Sequence, residues 1–129
     1  MRVFGGAVLW IAGLSLLGFG AAFVVAPLQT MALAGIVLEG PLAATELRAF
    51  YGGLELALGV LVLACALRPA RLRDGLWLVF AVFAGIGLAR LGGMLASGAD
   101  TGFLRLALAT ELGLALLSGI ALMRGAGRG

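Results

Sequence analysis

The chain has 129 residues, of which 63% are hydrophobic and 12% are charged, and its mean hydropathy is +1.18. A water-soluble protein of this size cannot bury so much apolar surface, so the composition predicts a single integral membrane domain covering residues 1–129. The formal net charge is +3, but every basic residue is an arginine and most of them flank apolar runs. That pattern is typical of membrane orientation and argues against a nucleic-acid partner.

The residue types that the sequence lacks narrow its chemistry further. There is no histidine, which removes the commonest general base near neutral pH and the usual protein ligand of haem, zinc and copper. Cys65 is the single cysteine, so an intramolecular disulfide is excluded. We therefore expect no metal and no cofactor.

Four apolar runs approach the roughly 20 residues that a helix needs to cross a ~30 Å hydrocarbon core. They predict an all-α membrane four-helix bundle with helices at about residues 4–25, 43–67, 76–96 and 103–123. The first run is longer than the roughly 7 to 15 apolar residues of a signal peptide, so we expect it to be retained. Residues 28–42 are too short and too often interrupted for a span, and they predict either an interfacial or a re-entrant segment.

Most arginines lie on one side of the predicted spans. They occur at the N-terminus, in the loop after the second span and at the C-terminus, as Arg2, Arg68, Arg71, Arg73, Arg124 and Arg128. The other two loops contain none. Because cytoplasmic loops carry an excess of basic residues, we expect a multi-pass protein of the bacterial inner membrane with both termini in the cytoplasm.

Charged residues also lie inside the predicted spans, where they are costly unless they are paired or bind a ligand. Counted at ~1.5 Å per residue from the outer ends of the helices, Glu55, Arg90 and Glu111 lie roughly 10 to 18 Å deep. Arg48 precedes Glu55 by one heptad and so shares its face of an α-helix, with Tyr51 beside it. We predict that Arg48, Tyr51, Glu55, Arg90 and Glu111 form an electrically neutral cluster lining an outward-facing pocket.

Two further charges lie near the outer surface and are secondary candidates. Glu46 points about 160° away from Arg48 on an α-helix, so we expect it to be interfacial or to cap the helix N-terminus together with Thr45. Arg105 opens the fourth span, where a long side chain can reach the interface.

Two sets of glycines predict close helix packing. Gly6, Gly13 and Gly20 recur at heptad spacing in the first span, so a neighbouring helix can approach this stripe. Gly52 and Gly59 lie on the stripe of Glu55, where they leave room for another helix or for a ligand.

The run Glu46-Leu-Arg-Ala-Phe-Tyr-Gly-Gly-Leu-Glu55 with Gly59, followed by Arg90-Leu-Gly-Gly93, Gly98 and Glu111, is similar to the domain-of-unknown-function 4345 family. This is a family of small bacterial four-helix membrane proteins. Its recognisable part is Glu-x-Arg-x-x-Tyr-Gly-Gly, because charges beside paired glycines are unusual in a membrane helix. The resemblance implies the fold and no activity. More loosely, the size and layout look like the DoxX-like membrane proteins, some linked to quinone or thiol oxidation, but Cys65 has no second thiol with which to react.

Three functions are compatible with these residues. The leading hypothesis is non-enzymatic: a small amphipathic, lipid-like or anionic molecule is bound or transported in the charged pocket. The alternative is a small membrane isomerase or oxidoreductase, with Glu55 or Glu111 as general acid/base and Arg90 stabilising negative charge. A structural subunit of a membrane complex, in which ion pairs only fix the helix register, is the third. We also expect a homo-oligomer, because so small a bundle leaves glycine faces uncovered.

Overall fold

The computed structural model describes residues 2–126, and every regular element in this part of the chain is helical. Four of the helical stretches are long and apolar enough to cross a membrane: Arg2–Val25, Gly40–Ala66, Pro69–Ser97 and Gly102–Gly125. The prediction of an all-α chain with four potential spans is confirmed. Arg128, counted above among the cytoplasmic arginines, lies outside the described residues.

The first span is one helix, α1 (Arg2–Val25), and a short α2 (Pro27–Leu33) follows it. The second span has three parts: α3 (Gly40–Leu47), a π-helical segment (Arg48–Gly53) and α4 (Leu54–Ala66). A 3₁₀ turn (Pro69–Arg71) leads into α5 (Leu72–Ser97), and α6 (Gly102–Ala126) completes the described chain.

The second and third spans begin earlier than the sequence predicts. We expected them to start at about residues 43 and 76, after a broken segment that includes Pro41 and after a basic turn that follows Pro69. In the structure each proline lies in the first turn of its span. Proline is tolerated there because the first backbone N–H groups of a helix have no intrahelical partner.

The segment predicted to be interfacial or re-entrant is a seven-residue helix followed by an extended connection. Pro27 begins α2, and the Thr30 hydroxyl donates a 2.7 Å hydrogen bond to the carbonyl oxygen of Ala26, the residue between α1 and α2. Met31 packs with Phe23 and Leu47 in a small apolar cluster that is separate from the main core. The segment therefore folds back over the junction between α1 and α3.

Helix α1 lies in the middle of the bundle. It packs along the π-helical segment and α4, while α5 packs along α6, and α1 also contacts both α5 and α6. The main core between these helices contains Leu9, Val62, Leu76 and Val79, each almost completely buried.

Glycines allow α1 to approach the second span closely. A Cβ atom on Gly20 would lie 2.8 Å from the backbone nitrogen of Leu56, and one on Gly59 would lie 3.0 Å from the backbone nitrogen of Leu17. Gly52 faces the same contact, whereas a Cβ on Gly6 would meet nothing within 4 Å. The glycine stripe beside Glu55 is thus filled by a helix and not left open for a ligand.

The bundle has two ends, the Arg68 end and the Asp100 end. The Arg68 end contains the start of α1, the 3₁₀ turn and the end of α6; Arg124 there lies 5.4 Å from the ring centre of Phe4. The Asp100 end contains α2, the start of α3 and the loop between α5 and α6.

Candidate functional site

The motif that carries the family resemblance adopts a π-helix. The segment Arg48–Gly53 contains the Arg-Ala-Phe-Tyr-Gly-Gly run, with α-helix on both sides of it. A π-helical turn holds more residues than an α-helical one, and one extra residue rotates the following side chains by about 100°. The heptad spacing therefore no longer puts Arg48 and Glu55 on the same face. Such segments are frequently found at functional sites.

Arg48 is the member of the predicted cluster that the structure keeps apart. Its Nε donates a 3.1 Å hydrogen bond to the carbonyl oxygen of Val24, and its side chain is exposed. Val24 lies in the last turn of α1, where carbonyls lack intrahelical partners. Arg48 thus satisfies the end of a neighbouring helix, and it forms no ion pair with Glu55 or with any other described carboxylate.

Arg90 and Glu111 are joined across α5 and α6. Nε of Arg90 donates to Oε2 of Glu111 at 2.8 Å, and Nη2 donates to Oε1 at 2.6 Å. The Glu111 side chain is 11% exposed and that of Arg90 is 26% exposed. Gly87 lets the two helices approach at this level, because a Cβ there would lie 2.7 Å from the Leu112 side chain and 3.4 Å from Cβ of Glu111.

Tyr51 and Glu55 lie four residues apart in the second span. Glu55 is in the first turn of α4, which packs against α5, the helix that carries Arg90. The Tyr51 ring packs at 5.1 Å, tilted by 39°, on the ring of Phe23 in α1. We call Tyr51, Glu55, Arg90 and Glu111 the Glu55 cluster.

The Glu55 cluster is not electrically neutral. With Arg48 absent it holds two carboxylates and one guanidinium, and Glu111 already occupies that guanidinium. Glu55 is half-buried and has no hydrogen-bond or ion-pair partner within residues 2–126. The π-helical segment packs on α1 and α3 and makes no extensive contact with α5 or α6. The cluster therefore contains one carboxylate that no described protein group compensates.

The residues of the Glu55 cluster lie within a part of the chain that matches a known protein family. Residues 6–122 match the family described as Domain of unknown function (DUF4345). The chain belongs to this family. The match includes the whole Glu55 cluster, and it confirms the resemblance that the motif in the second span indicates. No curated protein and no solved structure matches the chain.

The two secondary candidates lie outside the cluster in this DUF4345 chain. Glu46 is exposed, and it cannot cap α3 together with Thr45 because that helix begins at Gly40. The capping alternative is therefore wrong. Nε of Arg105 lies 2.8 Å from Oδ1 of Asp100 in an ion pair, and both side chains are more than half exposed. This second ion pair belongs to the surface of the Asp100 end.

Sequence reasoning missed two contributions from α1. Phe23 supplies the ring against which Tyr51 packs, and Val24 supplies the carbonyl that holds Arg48. Both lie in an unbroken apolar run, where no polar residue marks them as neighbours of a site. The Pro27 break just after them was the available signal, because it shows where α1 has unpaired carbonyls.

Proposed function

We propose that the chain is a multi-pass four-helix bundle of the bacterial inner membrane with both termini in the cytoplasm. Four sufficiently long apolar helices support the insertion. The arginines at the Arg68 end support the orientation, because basic residues accumulate on the cytoplasmic side. In this orientation the Glu55 cluster lies in the outer half of the bilayer.

We further propose that the Glu55 cluster binds a small amphipathic molecule. The observation that carries this proposal is the half-buried Glu55 carboxylate, which has no hydrogen-bond or ion-pair partner among the described residues. An acidic side chain at the centre of a spanning helix costs roughly 2.5 to 3.5 kcal/mol on insertion scales. The Arg90–Glu111 pair alone would fix the register of α5 and α6, so a purely structural role does not account for Glu55.

The charge balance favours one kind of ligand. The sequence-based hypothesis included an anionic molecule held by two arginines, but Arg48 binds Val24 and Arg90 is already paired. A head group that is cationic or donates hydrogen bonds would instead complement Glu55. A cationic head group could also contact the exposed aromatic ring of Tyr51. The apolar walls of the neighbouring helices would accept an alkyl tail.

A comparison of head groups tests the proposal. Purified protein in nanodiscs of neutral lipid would be titrated with dodecylamine, dodecanol and dodecanoate, with empty nanodiscs correcting for partition into lipid. We expect the amine to bind most tightly, and Glu55→Gln to weaken its binding by about tenfold or more, equivalent to about 1.4 kcal/mol. If the protein also transports the amine, proteoliposomes that contain it should take up the amine. Glu55→Gln should abolish this uptake.

Glu46→Gln is the matched control, because it removes an exposed carboxylate from the same span. It should leave the affinity for the amine unchanged. Equal affinities of the Glu55→Gln and Glu46→Gln proteins for all three compounds would refute binding at the cluster.

A further inference from the structure

A concave feature lies in the opposite half of the molecule from the Glu55 cluster. It is a groove of about 430 Å³ between α5 and α6 near the Arg68 end. Arg73, Trp77 and Phe80 line it from α5, at the spacing of one helix face, and Gly119 and Met123 are among the residues that line it from α6. The groove opens to the outside of the helix pair and not to the core.

The lining combines one charge with an otherwise apolar wall. Arg73 is the single charged residue that lines the groove within the described chain, and it is exposed. The Trp77 ring is half-exposed and meets the Phe80 ring edge-on at 5.8 Å. A guanidinium at one end, an exposed tryptophan next to it and apolar side chains beyond match the order of phosphate, interface and acyl chain in a phospholipid.

We propose that this groove binds an anionic phospholipid of the leaflet at the Arg68 end, with its phosphate on Arg73 and one acyl chain along the apolar wall. Arginine suits this role because its planar guanidinium can donate two parallel hydrogen bonds to a phosphate. The proposal rests on the membrane insertion argued above and is independent of any ligand at the Glu55 cluster.

A second copy of the chain fits the groove less well. The common symmetric dimer of a membrane protein has its two-fold axis along the membrane normal, and it brings the same surface of both copies together. The two Arg73 side chains would then lie at the same depth in one interface, where like charges repel. An anionic lipid removes that repulsion because it supplies the opposite charge.

Lipid retention measures the role of Arg73. The protein would be reconstituted in equal parts of phosphatidylglycerol and phosphatidylcholine, extracted in mild detergent and analysed by native mass spectrometry. We expect the wild-type protein to retain phosphatidylglycerol preferentially, and Arg73→Gln to lower that preference about fivefold, the effect of one basic residue near an anionic lipid surface. Arg71→Gln is the control, because Arg71 is exposed in the adjacent turn and does not line the groove.

A second variant fills the groove without removing a charge. A Cβ on Gly119 would meet Phe80 at 3.5 Å, an ordinary contact, so a larger side chain can be accommodated and would project into the groove. Gly119→Leu should therefore reduce the retention of both lipids, whereas Glu55→Gln should change neither.

Three results would overturn the proposal. If Arg73→Gln and Arg71→Gln lowered the preference for phosphatidylglycerol equally, lipid binding would depend on general surface charge and not on the groove. Full retention in Gly119→Leu would mean that the lipid lies elsewhere. A dimer that Gly119→Leu converts to a monomer, with no change in bound lipid, would assign the groove to a second copy of the chain.

Discussion

Arg90 and Glu111 are held together by two hydrogen bonds, from Nε to Oε2 at 2.8 Å and from Nη2 to Oε1 at 2.6 Å. This paired geometry occupies both oxygens of Glu111 and leaves its charge compensated inside the helix bundle. The pair also joins α5 to α6 at the level where Gly87 allows their close approach. It forms the fixed wall of the Glu55 cluster, and Glu55 is the carboxylate that remains available.

The first prediction concerns this ion pair. Arg90→Leu leaves the nearly buried Glu111 without a partner, and breaking a buried pair in this way costs about 3 to 5 kcal/mol. We expect a loss of this size in the free energy of unfolding, measured by denaturant titration in mixed micelles.

Two controls separate burial from charge for this prediction. Arg105→Leu breaks the exposed pair with Asp100 and should cost no more than about 1 kcal/mol. Arg90→Leu combined with Glu111→Leu removes both charges and should recover most of the loss. If Arg90→Leu is no more destabilising than Arg105→Leu, the pair is not a structural element.

The second prediction separates Arg48 from the cluster. Because the Arg48 side chain is exposed and, within residues 2–126, bonds only to the Val24 carbonyl, Arg48→Gln should lower the free energy of unfolding by about 1 kcal/mol. Amine binding at Glu55 should be unchanged, as measured in the nanodisc titration proposed above. A loss of binding as large as that of Glu55→Gln would instead return Arg48 to the site.

The contrast between Arg48 and Arg90 shows which parts of the site could be predicted. The depth of a residue along a helix follows from counting residues. Such counting predicts similar depths for Arg90 and Glu111, and the structure joins these two residues in an ion pair. Helical angle requires an unbroken α-helix, and the π-helical segment Arg48–Gly53 violates that condition. The partner of Arg48 is a backbone carbonyl of another helix, which no side-chain pattern reveals.

The fold was more predictable than the site for a physical reason. An apolar run of about 20 residues is a property of a whole segment, so an error of a few residues at its ends does not change the prediction of a span. The exact starts of the second and third spans are harder to predict, because Pro41 and Pro69 lie near them. A proline breaks the interior of a helix but is tolerated in its first turn, and the structure has both prolines in the first turn.

The third prediction concerns the contact between α1 and the second span. Gly20→Ala would put a Cβ 2.8 Å from the Leu56 backbone nitrogen and 3.0 Å from the Gly52 carbonyl oxygen, so backbone must move. Overpacking of this kind typically costs about 1 to 3 kcal/mol, which thermal unfolding in detergent would measure. Gly18→Ala is the control, because a Cβ there meets nothing within 4 Å. Equal stability of the two variants would contradict the close approach.

The fourth prediction concerns the orientation proposed for the bundle. Ala99 and Ala70 are exposed at the Asp100 end and the Arg68 end respectively, and the native Cys65 is buried. In a Cys65→Ala background, a membrane-impermeant thiol reagent added to spheroplasts should label Ala99→Cys directly. It should label Ala70→Cys only after the membrane is permeabilised, because the arginines beside Ala70 hold that turn in the cytoplasm. The opposite pattern would invert the orientation and direct the Glu55 cluster toward the cytoplasmic half of the bilayer.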